Sequence, residues 1–307
     1  MAGLNISIAF FVSIVVICEV CRRLSKMFLP SSLYQSLLKE AAASLQLAAC
    51  CMELRMLVEI GPWGGGFGPD VVLTLLFLLF LAHGASFDGA SGNPCVSLQE
   101  FLTREASCLS TLGKLVAQYA GMEAAKLLTN RYWSWELTDF HLLQNLMARD
   151  CSSPLRAPVS QGMFAEAVCA FFFHATLLRF QHSRAMFRVP AMALMVSLLA
   201  YTAGPYTAAF FNPTLAWALT FHCSGATLRE NVLVYCLGPI VGMAAALLLY
   251  HGNIPRLFQR NLLYNQKSKC RTPKLKGAHF KQNETKANQA LQKGQAKRKE
   301  EPGPKAE

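Results

Sequence analysis

Two Asn-Pro motifs stand inside apolar stretches, where polar residues of this kind are unusual: Asn93-Pro94-Cys95 and Asn212-Pro213-Thr214. Asn is a preferred helix N-cap and Pro suits the first helical position, so each motif predicts the start of a short helix. The run from Asn212 through Phe221 is too short to cross a bilayer, which takes about 20 apolar residues. A helix can begin at membrane depth only where its free backbone lines a cavity or is buried in protein. Each motif therefore predicts a helix N-terminus and a carboxamide facing a pore.

The two motifs occupy matching places in two apolar halves of the chain. Asn93 follows the apolar run Val71–Ala85, and Asn212 follows Val189–Ala203. A single Asn-Pro usually marks a turn. An interrupted helix at corresponding positions of two hydrophobic halves is instead typical of an inverted-repeat channel or transporter.

The composition favours a membrane protein, with 53% hydrophobic and 15% charged residues. The net charge of +11 collects in the last fifth of the chain, where Lys267–Lys305 has little apolar content. This charge belongs to a polar tail and does not indicate nucleic-acid binding. Most of the eleven cysteines lie in apolar runs and are expected to act as small hydrophobes rather than a disulfide framework. Cys18–Cys21 has metal-type spacing but no second pair, so we expect no metal site.

The first apolar run, Leu4–Val20, is followed by Arg22, Arg23 and Lys26. A signal peptide carries its basic region before its apolar core, so we interpret this run as an extra membrane helix. The basic cluster would then be cytoplasmic, and an interfacial or signal-anchor helix is the alternative. Further spans are predicted at Tyr34–Met56, Asp70–Ala85, Leu109–Leu128, Met163–Phe180, Val189–Ala203 and Val232–His251.

The loops between these spans set the predicted orientation. Asn130–Gln161 is polar and predicts an extramembrane connection, whereas Arg179, Arg184 and Arg188 predict a cytoplasmic loop. The tail is predicted to be cytoplasmic and disordered. We therefore divide the chain into 1–32, the extra helix with its basic linker; 33–254, a channel with repeats at about 33–130 and 160–254; and the tail, 255–307.

The paired Asn-Pro half-helices resemble those of the aquaporin (major intrinsic protein) family. Gly238–Gly242 in the last span and Tyr206–Ala208 before the second motif carry the same resemblance, which covers roughly Leu33–Gly252. It implies an all-α multi-pass membrane protein: an aquaporin-like inverted repeat of six core transmembrane helices plus two re-entrant half-helices, with an extra N-terminal hydrophobic helix. It also implies that Glu40 and Glu166 steady the re-entrant loops.

Two departures resemble the unorthodox, intracellular branch of that family. The motifs end in Cys95 and Thr214, where Ala is usual, and Cys223 resembles the signature cysteine of the branch. Composition alone makes Cys223 a packing thiol, whereas the resemblance raises a role in assembly or folding. The resemblance further implies a homotetramer in the endoplasmic reticulum or another secretory-pathway membrane.

The expected selectivity filter departs furthest from the family pattern. Ordinary members carry an Arg directly after the second motif, and this chain has Leu215 there. Counting back from the two asparagines places the other filter positions at Leu73, Ala200 and Ala209. A constriction of Leu and Ala lacks hydrogen-bond donors and a fixed cation, so we expect it to be wide and hydrophobic. It would admit glycerol-sized solutes or close by dewetting.

Two helix N-termini that meet at the midplane oppose cations, and their carboxamides interrupt a chain of protons. We therefore predict a passive channel, surrounded by lipid, for water and for glycerol or other small neutral solutes, with no cofactor and no catalytic residue. One alternative is a non-conducting structural or regulatory protein whose pore is closed by Leu215 and Phe211. Another is an ion-coupled transporter, which needs intramembrane charge, and only Asp88 lies near the motifs. No nucleophile–base pair suggests an enzyme.

Overall fold

The computed structural model describes residues 2–30, 32–60, 67–147, 151–252, 254 and 256. Within these ranges the structure is helical, with an isolated bridge between Ser152 and Ser224. Residues 257–307 lie outside the described residues, so the extent and side of the tail stay predictions. The helices are α1 Ala2–Phe28, α2 Ser32–Ile60, α3 Pro69–Ser86, α4 Pro94–Leu102, α5 Cys108–Trp133, α6 Asp139–Met147, α7 Val159–Phe180, α8 Ala185–Thr207, α9 Pro213–Thr220, α10 Leu228–Val232 and α11 Gly238–His251, with a π-helical turn at Leu233–Leu237.

Each predicted span contains a helix, and the all-α class is confirmed for the described residues. In the part of the chain that the structure describes, five helical segments are long and apolar enough to cross a membrane: Gly3–Phe28, Ser32–Ile60, Val159–Phe180, Ala185–Thr207 and Leu228–His251. Helix α3 is apolar but shorter, with 18 residues and thus a length of about 27 Å. Helix α5 has 26 residues, and its polar side chains distinguish it from the other long helices.

Helix α5 is polar because it packs against both half-helices, α4 and α9. Gln118 Nε2 donates to Glu40 over 2.9 Å and to Ser97 of α4 over 3.0 Å. Further along α5, Glu123 accepts a hydrogen bond of 2.9 Å from the Trp217 indole of α9. Polar side chains in a membrane helix normally face protein and pair there, and α5 follows this rule.

Two glycines bring the helices of each repeat into close contact. A Cβ atom at Gly121 of α5 would overlap the carbonyl oxygen of Ala41 in α2. A Cβ atom at Gly242 of α11 would overlap the carbonyl oxygen of Ala167 in α7 in the same way. Each alanine directly follows one of the two predicted loop-supporting glutamates. The two halves of the chain therefore repeat one arrangement, in which a glycine of one helix packs against the residue that follows a glutamate of another helix.

The connection predicted at Asn130–Gln161 differs from the observed structure. Helix α5 continues to Trp133, a further helix, α6, follows, and α7 begins before the predicted connection ends. Trp133 is 6% exposed because its Nε1 donates to the fully buried carboxylate of Glu53 over 2.7 Å. The buried Glu53 carboxylate thus holds Trp133 inside the bundle, although this residue belongs to the segment that was predicted as an extramembrane connection.

One residue of the basic cluster after the first apolar run is buried, and the side of the membrane on which the cluster lies stays a prediction. Arg23 is exposed, as expected for a cytoplasmic residue, whereas Arg22 is only 1% exposed. The Arg22 guanidinium donates to the side-chain oxygen Oε1 of Gln46 in α2 over 2.9 Å. Helix α1 is longer than the predicted Leu4–Val20 run, and Arg22 lies on the side that faces the bundle.

We expect Gly121→Ala and Gly242→Ala each to lower the stability of the protein, because the added methyl group would push two packed helices apart. Overpacking of this kind typically costs about 1–3 kcal/mol. Gly204→Ala is the matched control, since nothing lies within 4 Å of the Cβ position there. Thermal unfolding of the purified proteins in detergent is the measurement. Equal melting temperatures for Gly121→Ala and Gly204→Ala would contradict the close helix contact.

Candidate functional site: two half-helices joined at their N-termini

Both Asn-Pro motifs begin half-helices, and each asparagine is the N-cap. Asn93 Oδ1 accepts from the backbone N–H of Cys95 over 2.9 Å. Asn212 Oδ1 accepts from the backbone N–H of Leu215 over 3.4 Å and from the Thr214 hydroxyl over 3.0 Å. The proline of each motif stands in the first turn, where its missing N–H leaves no gap in the hydrogen bonding. The local sequence thus explains why both helices start where they do.

The two motifs also bind each other in a reciprocal way. Asn93 Nδ2 donates to the carbonyl oxygen of Phe211 over 3.2 Å, and Asn212 Nδ2 donates to the carbonyl oxygen of Gly92 over 2.8 Å. Each carbonyl belongs to the residue directly before the opposite asparagine. A primary carboxamide has two N–H donors, and this contact uses one of them on each side. The structure therefore places the N-termini of α4 and α9 together, with a second donor on each asparagine.

A buried carboxylate organises the loop before the second motif. Glu166 is fully buried and accepts from the backbone N–H groups of Phe210 and Phe211 over 3.1 and 2.6 Å. It also accepts from the Thr207 hydroxyl over 2.6 Å. Phe211 and the two residues after Thr207 have positive φ angles, which non-glycine residues adopt only when their surroundings hold them. The carboxylate supplies this restraint.

Glu40 has the same geometry in the first repeat. Its carboxylate accepts from the backbone N–H groups of Gly92 and Ser91 over 3.0 and 3.3 Å. Gly92 has a φ of +60°, and a Cβ atom there would lie 3.4 Å from the backbone of Ser44. Glycine therefore fits both the left-handed conformation and the close approach to α2. The oxygens of both glutamates bind loop N–H groups, which is a structural task rather than proton transfer.

The four candidate filter residues lie in different surroundings. Leu215 and Ala209 are each 6% exposed, but they belong to two different apolar clusters. Leu73 and Ala200 are half-buried and belong to neither cluster among the described residues. Their role as a selectivity filter therefore stays a prediction.

Two residues of α3 that the sequence analysis did not single out pack against both apolar clusters. These are Leu76 and Phe80. They follow Leu73 at i+3 and i+7, which places all three on one helix face. The Val71–Ala85 run is apolar on every side, so its hydrophobic pattern does not identify this face, which only the packing of α3 shows.

The third residue of each motif is buried in a different way. Cys95 is 1% exposed and packs with Met243 and Ala246 of α11. Thr214 directs its hydroxyl to Asn212. The sulfur of Cys95 is therefore accommodated beside α11, and the hydroxyl of Thr214 is bound by the capping asparagine.

A disulfide joins Cys223 to Cys151, which corrects the expectation that Cys223 is an unpaired thiol. Cys223 follows the end of α9, and Cys151 lies in the connection before α7. The Ser224 N–H donates to the Cys151 carbonyl over 2.9 Å, so backbone hydrogen bonding supports the link. Arg55 of α2 donates to the carbonyl oxygens of Ser152 and Leu219 on either side. The position of Cys151 in a polar connection is the signal that separates it from the cysteines in apolar runs.

A cavity of about 360 Å³ opens beside this disulfide, with Met52, Arg55, Trp133, Gln144, Leu219 and His222 in its walls. Burial, followed by the charges of Lys126 and Arg55, lowers the pKa of His222 below its ordinary value. The imidazole is therefore neutral at neutral pH. The cavity adjoins the C-terminal end of α9 and does not include the motif asparagines in its lining.

Glu53 is a second site that the sequence analysis did not single out. It is fully buried and accepts from the Ser7 hydroxyl of α1 over 2.6 Å and from the Trp133 indole of α5. Nε2 of His141 in α6 lies 3.3 Å away. A carboxylate inside a predicted span is costly unless it is paired, and Glu53 lies within the predicted span Tyr34–Met56. The presence of a carboxylate inside a predicted span was therefore the signal in the sequence for Glu53.

Comparison with known proteins agrees with this geometry. The family described as "Major intrinsic protein" matches residues 36–250. The chain is 61% identical to Aquaporin-12 of Mus musculus over 274 residues, covering 89% of this chain and 94% of that protein. It is 30% identical to Aquaporin-11 of Homo sapiens over 257 residues, covering 84% and 93%. The X-ray structure of the aquaglyceroporin from Plasmodium falciparum aligns with a TM-score of 0.57 at 14% identity, covering 74% of this chain and 99% of that one.

The fold and the joined half-helices define a multi-pass membrane channel for water or small solutes. Family members are channels rather than enzymes, and this favours the channel over the ion-coupled transporter. The chain belongs to the major intrinsic protein, or aquaporin, family.

We expect Cys223→Ser to lower the melting temperature under non-reducing conditions, because the disulfide links two residues that are 72 positions apart in the sequence. Disulfides over loops of this length typically contribute roughly 2–4 kcal/mol. Cys108→Ser is the matched control, since Cys108 is an exposed free thiol. Because two cysteines form one bond, Cys151→Ser combined with Cys223→Ser should cost no more than either change alone. Additive losses would show that the two cysteines act separately.

Proposed function

We propose that the chain forms a passive channel for water and for glycerol-sized neutral solutes in an intracellular membrane. The observation that carries this proposal is the reciprocal contact of Asn93 and Asn212. Because the N-termini of α4 and α9 meet there, two positive dipole ends act on the same place. The remaining N–H donors can bind the oxygen of a neutral solute, whereas a cation meets only unfavourable charge.

The solute range is proposed to follow from the apolar side chains beyond the asparagines. Ala209 comes from the second loop, Leu215 from the first turn of α9, and Leu76 and Phe80 from α3. A constriction of such residues offers neither a fixed cation nor hydrogen-bond donors. It would discriminate weakly between water and a small polyol, and water would leave it readily.

A non-conducting structural or regulatory role is the second candidate, and one observation favours it. Phe211 is 5% exposed, and its ring lies 5.1 Å from the ring of Phe173. Leu215 is buried to a similar degree. These side chains could close the passage permanently rather than shape it.

The site residues keep their sequence-based roles as part of this proposal. Asn93, Pro94 and Cys95 form the first pore motif, and Asn212, Pro213 and Thr214 form the second. Glu40 and Glu166 support the loops, and Cys223 secures the end of α9. Assembly as a homotetramer and residence in the endoplasmic reticulum or a secretory-pathway membrane are proposed on the resemblance to the intracellular branch.

Stopped-flow light scattering of proteoliposomes containing the full-length protein tests conduction. An impermeant osmolyte should cause fast shrinkage, and glycerol should cause shrinkage followed by re-swelling. Asn93→Asp combined with Asn212→Asp should reduce both fluxes to the level of empty liposomes, because aspartate lacks the N–H donors. Asn130→Asp, at an exposed site on α5, is the matched control. Flux equal to that of empty liposomes, with folded wild-type protein, would favour the non-conducting candidate.

The same assay tests the filter with Leu215→Arg and the apolar control Leu215→Met. Arginine adds a fixed cation and five donors, so the ratio of glycerol to water permeability should fall. Methionine should leave the ratio close to that of the wild type. An unchanged ratio in both variants would place the constriction elsewhere.

Glycan mapping in cells tests the orientation. The tail contains the sequon Asn283-Glu284-Thr285, and glycans are added only on the lumenal side. We expect Asn283 to carry no glycan because the tail is proposed to be cytoplasmic. A glycan there would reverse the proposed orientation.

A further inference from the structure

Helix α1 precedes the part of the chain that matches the family, which begins at residue 36. Its buried residues include Ser7, Phe11, Ile14, Cys18 and Arg22. They recur at intervals of three and four, so they lie on one face of the helix. An anchor that merely held the protein in a membrane would need only apolar contacts on this face.

The N-terminal part of α1 is fixed to the ends of α2 and α5. Ser7 is 1% exposed and donates to the buried Glu53 carboxylate. The ring of Phe10 stacks on that of Tyr132, with centroids 4.1 Å apart. Since Ser7 contacts Glu53 and Arg22 contacts Gln46, α1 and α2 run antiparallel.

The other end of α1 makes a chain of polar contacts that leads to the end of α3. Arg22 donates to the side-chain oxygen Oε1 of Gln46, so the side-chain nitrogen Nε2 of Gln46 is left to donate elsewhere. That nitrogen donates to Nδ1 of His83 over 2.9 Å and to the Ser86 hydroxyl over 3.0 Å. A buried guanidinium is expensive unless it is paired, so this geometry is strongly specified.

One turn beyond Arg22, α1 reaches the loop that carries the first pore motif. Lys26 Nζ lies 2.7 Å from the carboxylate of Asp88, and Lys39 of α2 lies at the same distance. Asp88 follows the end of α3, has a φ of +52° and precedes Gly92 in the loop. The hydrogen bond from Lys26, followed by that from Lys39, lowers the pKa of the Asp88 carboxyl below its ordinary value.

We propose that α1 positions the first pore loop, with Arg22 and Lys26 as positioning residues. Arg22 holds the end of α3 through Gln46, Lys26 holds Asp88, and Glu40 holds the other end of the loop at Gly92. The Gly92 carbonyl in turn accepts the Asn212 carboxamide across the pore. Helix α1 therefore restrains the loop whose Gly92 carbonyl contacts Asn212. This inference rests on the proposed function of the contact between the two motifs.

Hydrogen–deuterium exchange with mass spectrometry on the full-length protein tests the proposal without requiring solute flux. Lys26→Ala should speed exchange at the amides of residues 90–92 by about two- to five-fold, the range expected for a partly exposed ion pair. Arg23→Ala is the matched control, because Arg23 is exposed and its partner Glu19, in the same helix, would keep its ion pair with Arg22. Lys26→Arg keeps the charge and should restore the wild-type rate.

Arg22→Met extends the test to the buried contact. Without the guanidinium, Gln46 loses its donor, so exchange should also rise at the end of α3. Should this variant not fold, Lys26→Ala with its rescue by Lys26→Arg decides the question. Unchanged exchange at 90–92 in Lys26→Ala, or an equal rise throughout the protein, would overturn the proposal.

Solute flux provides a separate readout of the same variants. In a conducting channel, Lys26→Ala should change the ratio of glycerol to water permeability, and Lys26→Arg should return it to the wild-type value. Faster exchange with an unchanged ratio would overturn the link between α1 and the pore. A protein that conducts nothing would count against the proposed function, while the exchange rates would still decide whether α1 restrains the loop.

Discussion

Two re-entrant loops must bring bare backbone N–H groups to the middle of a membrane protein, and the rest of the structure depends on satisfying them. Unpaired backbone donors are costly at that depth. Glu40 and Glu166 meet this need, and each accepts two consecutive loop N–H groups. The glycine contacts beside each acid bring the helices of a repeat together around its loop. The carboxylates, the close helix contacts and the polar face of α5 together hold the two loops and satisfy their N–H groups.

The joining of the half-helices follows from the same constraint. Once the loops are held, the carbonyls of Gly92 and Phe211 each accept a hydrogen bond from the asparagine of the opposite motif. Each Asn thus caps its own helix and binds the other loop, and in the proposed channel its second N–H donor would bind solute. The apolar Leu215 beside this polar contact is consistent with a family member whose narrowest region selects weakly by hydrogen bonding.

Additional contacts secure these loops from outside the repeat. The disulfide between Cys151 and Cys223 holds the C-terminal end of α9, and α1 contacts the segment before α4. The disulfide acts directly after a half-helix and the α1 contact acts in the loop before the other half-helix. Family membership, the channel class and the fold rest on the family match and the structural comparison, whereas the solute range and the membrane remain proposals.

The sequence by itself determined the features that depend on neighbouring residues. The Asn-Pro motifs, the hydropathy of the spans and the recurrence in two halves predicted an all-α channel with two half-helices, and the family resemblance marked both loop-supporting glutamates. Only the tertiary structure decided which distant groups meet: Cys223 with Cys151, Glu53 with Trp133, and Leu76 and Phe80 with both apolar clusters. Helix caps and hydropathy are set within a few residues. Contacts between residues far apart in the chain depend instead on how the helices cross, which local propensity does not encode.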